Sequence, residues 1–253
     1  MEIRQGEKRW YNQNVRLLAR GRWLKGQVTI NPLLPSANVP IPKVLLPPIS
    51  EKWAKLREKN PKAFQGPTIR YCGYHEVGNL LIVDVVYSDY RLGQILGWLG
   101  AAMVPVTSDG VVACQAPVAA IAASIGGGVR VPGCTPPHIR FFQHINKEMQ
   151  EEFGADVPEE NITILGLLET KPPAANHHYS FALKVKIKET FKELKEKWSK
   201  AEDKWEGEML PLPLTKEAVA EKIFGKEFGE TSKAALYLVA ENELGDIGLE
   251  AIV

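Results

Sequence analysis

The chain has 253 residues, which is enough for one large domain or two small ones with a core that needs no disulfide or metal support. Its apolar fraction of 45% and its charged fraction of 24% are those of an ordinary globular protein. The net charge is only +1, so no strong electrostatic field indicates a nucleic-acid or membrane partner.

Cysteine usage and the lack of long apolar runs indicate the compartment. Cys72, Cys114 and Cys134 are scattered, odd in number and without zinc-site spacing, which favours a reducing environment. Residues 1–7 contain no apolar signal core. The longest weakly polar run, residues 110–128, is short and rich in Ala and Gly, whereas a membrane span needs about 20 apolar residues. We therefore predict a soluble, cytoplasmic protein without a membrane span.

The first third of the chain predicts short strands, a connector and one helix. Short apolar runs predict strands at residues 15–18, 28–30, 68–74 and 80–87. Residues 31–50 hold six prolines, which predicts an extended connector, because proline removes a backbone donor and fixes φ. We expect residues 31–48 to wrap around the domain or to form a homodimer contact. Ser50 is the predicted N-cap of a helix at residues 51–59.

From about residue 98 the sequence predicts a longer series of strands and helices. Asp109-Gly110 lies between two apolar runs and predicts a β-hairpin turn at residues 107–110. A glycine-rich segment follows at residues 126–128. Further strands are predicted at residues 161–168 and 179–187, the second half-buried, and helices at 189–204, from Thr215 to about Gly225, and from Thr231 to about Ala240.

Strands and helices alternate without a regular βαβ repeat. This pattern predicts an α/β protein with a mixed sheet flanked by helices. We divide the chain into an N-terminal α+β extension with the proline-rich connector, residues 1–97, and a second domain, residues 98–253. The extension is expected either to form its own small layer or to extend the same sheet.

Residues 147–155 are the most informative stretch of the chain. Glu148, Glu151 and Glu152 are spaced i, i+3 and i+4, so they share one face of a helix that ends at Gly154. Three carboxylates repel each other, and a divalent cation relieves that repulsion. Oxygen ligands suit Mg²⁺ or Mn²⁺. The alternative is a solvated helix face, which is the commoner role of such a triplet.

The same stretch resembles the signature of the Nudix hydrolase superfamily, G-x5-E-x7-R-E-U-x-E-E-x-G-U, in which U is aliphatic. Lys147-Glu148-Met149-Gln150-Glu151-Glu152-Phe153-Gly154-Ala155 matches its C-terminal half, except that Lys147 replaces the arginine. The order of strand, hairpin, strand, glycine-rich segment and helix is also similar. The resemblance covers about residues 98–253 and implies a Nudix-like mixed sheet sandwiched between helices.

The front half of the signature departs from the family pattern, and two alignments are open. Strict spacing puts the glycine on Gly133 and places Ile139 where the glutamate should be. The other alignment puts the family's glycine pair on Gly127 and Gly128, followed by a short insertion. We prefer it, because residues 126–129 resemble the family's loop-entering strand. The glutamate is missing in both alignments. In the family it pairs with the arginine that Lys147 replaces here.

The resemblance implies a hydrolase that cleaves a nucleoside diphosphate linked to another group, such as a nucleotide sugar, with Mg²⁺ or Mn²⁺. It also implies that Glu148, Glu151 and Glu152 are the metal ligands and the catalytic carboxylates. Backbone groups of Gly127 and Gly128 would then approach the metal or a phosphate without an intervening Cβ.

Three more residues are predicted to bind the substrate. The segment 87–91 is similar to a motif in nucleotide-sugar diphosphatases of the family, in which Tyr90 would stack on a base and Arg91 would hold a phosphate. His144 lies one turn before Glu148 and would contact a phosphate or a water molecule. The alternative function, suggested by the missing glutamate, is a catalytically inactive Nudix-fold module that binds nucleotides or proteins.

Overall fold

The computed structural model describes residues 15–33, 43–59, 67–89, 99–116, 141–171, 178–201, 208–225 and 228–247. These ranges form a mixed α/β protein with two mixed sheets and five α-helices. The strands are β1 Val15–Trp23, β2 Val28–Pro32, β3 Pro67–Val77, β4 Leu80–Asp89, β5 Leu99–Val106, β6 Val111–Ala116, β7 Ile162–Thr170, β8 His178–Lys186 and β9 Glu208–Pro213. The helices are α1 Leu46–Lys59, α2 Phe141–Phe153, α3 Phe191–Trp198, α4 Lys216–Phe224 and α5 Glu230–Leu244.

The large sheet has the strand order β1-β7-β8-β5-β6-β9, and the small sheet has the order β2-β4-β3. In the large sheet β5 and β8 are parallel and every other neighbouring pair is antiparallel. In the small sheet β2 runs parallel to β4, and β3 runs antiparallel to it. The sequence left open whether the first 97 residues extend the main sheet or form a separate layer. Their strands do both, because β1 extends the large sheet, whereas β2, β3 and β4 form their own layer.

The large sheet lies between two apolar clusters. Alternate residues of β5 face opposite sides, as the period of a strand requires. The cluster that contains Leu99, Ala101 and Met103 also includes residues of α2, α3 and the small sheet. The cluster that contains Ala102, Val104 and Val106 includes residues of α4 and α5. Both faces of the central strands are therefore buried, as the all-buried pattern of β5 also indicates.

A β-bulge in β7 keeps its side chains on the correct sides of the sheet. The register with β8 shifts between Ile164 and Gly166. Without the shift, Ile164 and Leu167 would face opposite sides, but both contribute to the cluster beneath α2. Leu165 and Leu168 contribute to the cluster on the other side.

The predicted hairpin between β5 and β6 is confirmed. Gly110 has φ of 74°, and its N–H donates to the carbonyl oxygen of Thr107 at 3.0 Å. The Thr107 hydroxyl donates to the Asp109 carboxylate at 2.6 Å and holds the pKa of Asp109 below its usual range. The Phe191 N–H donates to the same carboxylate at 3.1 Å. The turn thus also anchors the first residue of α3.

The prediction that Ser50 caps a helix is wrong, because α1 begins at Leu46 and Ser50 lies inside it. A 3-10 turn at Lys43–Leu45 leads directly into the helix. Pro47 and Pro48 occupy the first turn, where backbone N–H groups have no intrahelical acceptor. The two prolines therefore start the helix, although the sequence pattern suggested that they delay it. Within the described ranges, no helix combines the length and apolar character needed to span a membrane.

His178, at the start of β8, is expected to make stability depend on pH below neutrality. Burial, aided by the nearby Lys52 charge, lowers the pKa of its imidazole from 6.5 to about 4. Between these values the unfolded chain binds the proton and the folded chain does not. The contribution of His178 to the free energy of unfolding therefore falls as the pH is lowered from 6.5 to about 4, and it does not change above 6.5. We expect a loss on the order of 2 kcal/mol after discounting for partial solvent access.

The measurement is urea unfolding between pH 8 and pH 4, with His178→Gln as the comparison. Because glutamine does not titrate, the free energy of unfolding of the variant should fall less than that of the unmodified protein as the pH is lowered. Parallel stability curves for the two proteins would show that His178 does not contribute.

Candidate functional site

Helix α2 carries the acidic residues and packs against the large sheet through its apolar face. Five of its large apolar side chains belong to the cluster on that side: Phe141, Phe142, Ile145, Met149 and Phe153. The Phe141 and Phe181 rings lie with their centroids 4.8 Å apart, which places the start of α2 over β8. The apolar residues recur at the spacing of one helical face, which is why this segment forms an amphipathic helix.

Gly154 ends α2 as predicted. It adopts a φ of 65°, and its N–H donates to the carbonyl oxygen of Gln150 at 2.9 Å, which satisfies one of the last helical carbonyls. A Cβ at this position would lie 2.9 Å from the backbone oxygen of Lys197 at the end of α3. The glycine is therefore required by its backbone conformation and by the close approach of a second helix.

Gly154→Ala is expected to destabilise the protein by about 2–3 kcal/mol, because it combines a left-handed conformation with a clash against backbone. Gly78→Ala is the matched control. Gly78 has φ of 61°, and apart from its chain neighbours no residue that the structure describes lies within 4 Å of the position of its Cβ. The control should cost only about 1 kcal/mol. Equal losses for both variants in chemical denaturation would show that the contact with α3 has no energetic role.

The acidic side chains of α2 are shielded from solvent to different degrees. Glu152 is 5% exposed, and the Glu148 and Glu151 side chains are 16% and 27% exposed. With about 100° of rotation per residue, these three and His144 cover an arc of about 100° beside the apolar face. We call the three glutamates the acidic stripe. The alternative prediction from the sequence was a fully solvated helix face. The stripe is more shielded from solvent than that alternative predicts.

Two residues of α2 contact the stripe from one turn earlier. His144 Nδ1 lies 3.4 Å from Glu148 Oε1, and the imidazole is only 8% exposed. Lys147 Nζ lies 3.0 Å from Glu151 Oε1, and the lysine side chain is 51% exposed. The sequence analysis did not predict the Lys147–Glu151 ion pair, although the i, i+4 spacing of the two residues was enough to predict it.

The predicted site residues are only partly brought together. Gly127, Gly128, Tyr90 and Arg91 lie outside the described residues. Across the ranges that the structure does describe, no group of three or more His, Cys, Asp or Glu side chains is arranged to hold a metal ion. The three glutamates thus share a helix face, as predicted, but their carboxylates do not converge on one point.

Two of the clefts formed by the described residues lie away from α2. One, of about 520 Å³, is lined by Lys188, Glu189 and the polar face of α3. The other, of about 370 Å³, lies between β1 and α5 and has Leu165 and Leu238 in its lining. Neither cleft includes a described residue of α2. The acidic stripe is therefore a shielded surface along a helix rather than the wall of one of these clefts.

No protein-family model matches the chain, and no curated protein matches it. A function for this chain must therefore be argued from the residues of α2 and from the motif that they resemble.

Proposed function

We propose that the chain is a Nudix-like, metal-dependent hydrolase that cleaves a nucleoside diphosphate derivative, such as a nucleotide sugar. The observation that carries the proposal is the graded shielding of Glu148, Glu151 and Glu152 along one face of α2. A solvated helix face leaves carboxylates hydrated, whereas these have lost much of their hydration. A buried carboxylate needs a cation or hydrogen-bond donors to balance its charge. A bound metal ion would supply that balance.

The residues of the stripe fit a hard divalent cation in donor type. All three side chains offer carboxylate oxygens, which are the ligands that Mg²⁺ and Mn²⁺ prefer. Glu148 and Glu152 are one turn apart and are the more shielded pair, so they would hold the ion. Glu151 would join them only after leaving Lys147. The bound ion would supply charge neutralisation at the diphosphate and activation of a water molecule.

The protein's own residues would bind and orient the substrate around this stripe. Gly127 and Gly128 would offer backbone groups to a phosphate without side-chain obstruction. Tyr90 would stack on the base, and Arg91 would pair with a phosphate. The shielding of Glu152 would keep bulk water away from the charge that develops during hydrolysis.

The test is turnover by the unmodified protein. The protein is incubated with a panel of nucleoside diphosphate derivatives and with Mg²⁺ or Mn²⁺, and the nucleoside monophosphate and the second product are separated by chromatography. Hydrolysis of at least one substrate, abolished by a chelator and restored by the metal, is the expected result. No turnover across the panel with either metal would count against the enzyme.

A second function, nucleotide binding without hydrolysis, is favoured by the ion pairs of α2. His144 contacts Glu148 and Lys147 contacts Glu151, so these two carboxylates have a basic partner without any metal. On this alternative, nucleotides raise the unfolding temperature of the protein but are recovered intact. Hydrolysis of the stabilising nucleotide would eliminate it.

A further inference from the structure

The cleft between β1 and the C-terminal end of α5 is shaped by a β-bulge. The register of β1 against β7 shifts between Arg20 and Trp23, so β1 carries one residue more than β7 over this stretch. Gly21, within the bulge, and Arg20 line the cleft. Leu165 and Leu238 are each 3% exposed and form its apolar floor. Its volume of about 370 Å³ is large enough for a small organic molecule.

An ion pair joins the two walls of this cleft. Arg20 Nη2 lies 2.5 Å from Glu241 Oε2, and the two side chains are 31% and 24% exposed. Glu241 Oε2 is enclosed, and among the described residues it has no partner in hydrogen-bond geometry. The contact with Arg20 is therefore ionic and leaves the hydrogen-bonding capacity of this oxygen unused. An enclosed carboxylate oxygen without a hydrogen bond favours a ligand that brings a donor, such as an ammonium group.

The end of α5 adds negative charge to the same wall. The helix ends at Gly245, which lines the cleft, and the last carbonyl groups of a helix carry a negative partial charge. Asp246 follows directly and is also part of the lining. Its backbone carbonyl accepts from Lys216 Nζ, which ties the chain beyond α5 to α4. This wall therefore suits a cationic group.

Asn242 adds a hydrogen-bond donor to the lining. Its Oδ1 accepts from the ammonium of the buried Lys184 at 2.8 Å. Its amide nitrogen is therefore the polar end that Asn242 offers to the cleft. An amide N–H and the Arg20 guanidinium are both donors that suit a carboxylate. The cleft thus combines groups for a cation, groups for an anion and an apolar floor.

We propose that this cleft binds a small zwitterion, a free α-amino acid with an apolar side chain. The ligand carboxylate pairs with Arg20 and Asn242, and its ammonium pairs with Glu241. Its side chain lies on Leu165 and Leu238. Binding replaces one ion pair by two and leaves the total charge of the site unchanged. A ligand with a single charge would separate Arg20 from Glu241 and leave one of them without a counter-charge.

The test is thermal unfolding of the full chain with L-alanine or L-leucine at about 10 mM and constant ionic strength. Each amino acid is compared with analogues that carry one charge: propionate and ethylamine for alanine, isocaproate and isoamylamine for leucine. We expect at least one amino acid to raise the unfolding temperature by about 3 °C, and its singly charged analogues to raise it by less than about 1 °C.

Glu241→Gln and Arg20→Gln each remove one charge of the cleft, and both should lose this shift. Glu51→Gln, on the exposed Glu51–Lys55 pair of α1, should retain it. An equal shift from the amine alone or the acid alone would overturn the zwitterion, as would no shift with either amino acid. An unchanged shift in both cleft variants would overturn the location. The cleft is separate from the acidic stripe, so none of these outcomes bears on the proposed hydrolase.

Discussion

Glu152→Gln is expected to lower metal-dependent hydrolysis by at least about 100-fold. The substitution keeps the size and shape of a side chain that is 5% exposed, so packing around α2 is retained. It removes the negative charge that would bind the cation, and a neutral amide oxygen is a poorer ligand for Mg²⁺. The measurement is the initial rate of product release with the best substrate of the panel, at saturating metal.

The matched control is Glu196→Gln, which makes the same chemical change on the exposed face of α3. It should retain the activity of the unmodified protein within about 2-fold, since a surface substitution away from the stripe rarely matters. Equal activity of both variants would show that Glu152 is not part of the catalytic apparatus. A loss in Glu152→Gln that accompanies unfolding, seen by circular dichroism, would not count as support.

The largest effect on stability is expected from removing the counter-charge of Lys184, a lysine on β8 whose side chain is 1% exposed. Its ammonium donates to Asn242 Oδ1 at 2.8 Å and to Glu243 Oε1 at 2.6 Å, both on α5. Glu243→Ala should destabilise the protein by about 3 kcal/mol, because it leaves a buried ammonium without its counter-charge. Lys184→Met replaces the charge with an apolar chain of similar volume and should change stability by less than about 1 kcal/mol.

Urea unfolding of Glu243→Ala and Lys184→Met measures the difference between their losses of stability. Glu51→Ala serves as the control, because Glu51 pairs with Lys55 on α1 where both side chains are about two-thirds exposed. Solvent screens that exposed pair, so Glu51→Ala should leave the stability close to that of the unmodified protein. If Lys184→Met were more destabilising than Glu243→Ala, the buried charge would be compensated by something other than Glu243.

Local features of the fold could be predicted from the sequence because their causes are local. The Asp109-Gly110 turn and the glycine that ends α2 depend on backbone conformations that few residue types adopt. The residue types at these positions were therefore sufficient to predict the turn and the helix end. Thr215 was likewise predicted as an N-cap, and its side chain accepts a hydrogen bond from the Ala218 N–H.

Features that depend on distant parts of the chain could not be predicted. Strand β8 alternates in sequence like a half-buried strand, with Lys184 on the side expected to face water. In the structure α5 covers that side, and the lysine is buried against it. The parallel pairing of β2 with β4 is likewise set by packing between distant segments, which local pattern does not encode.

In the candidate site, too, local features could be predicted from the sequence and features that depend on distant segments could not. The shared face of Glu148, Glu151 and Glu152 follows from helical spacing and could be predicted. Their unequal exposure depends on which part of α2 is covered by neighbouring elements, so it required the structure. The roles of Gly127, Gly128, Tyr90 and Arg91 stay predictions, because these residues lie outside the described ranges.

The most direct test of the central claim is the binding of Mn²⁺ to the acidic stripe. Calorimetric titration of the unmodified protein should show binding that is lost in the double variant Glu148→Gln/Glu152→Gln, while Glu196→Gln binds normally. Identical titration curves for the unmodified protein and the double variant would contradict a metal site on α2, as would no binding by the unmodified protein.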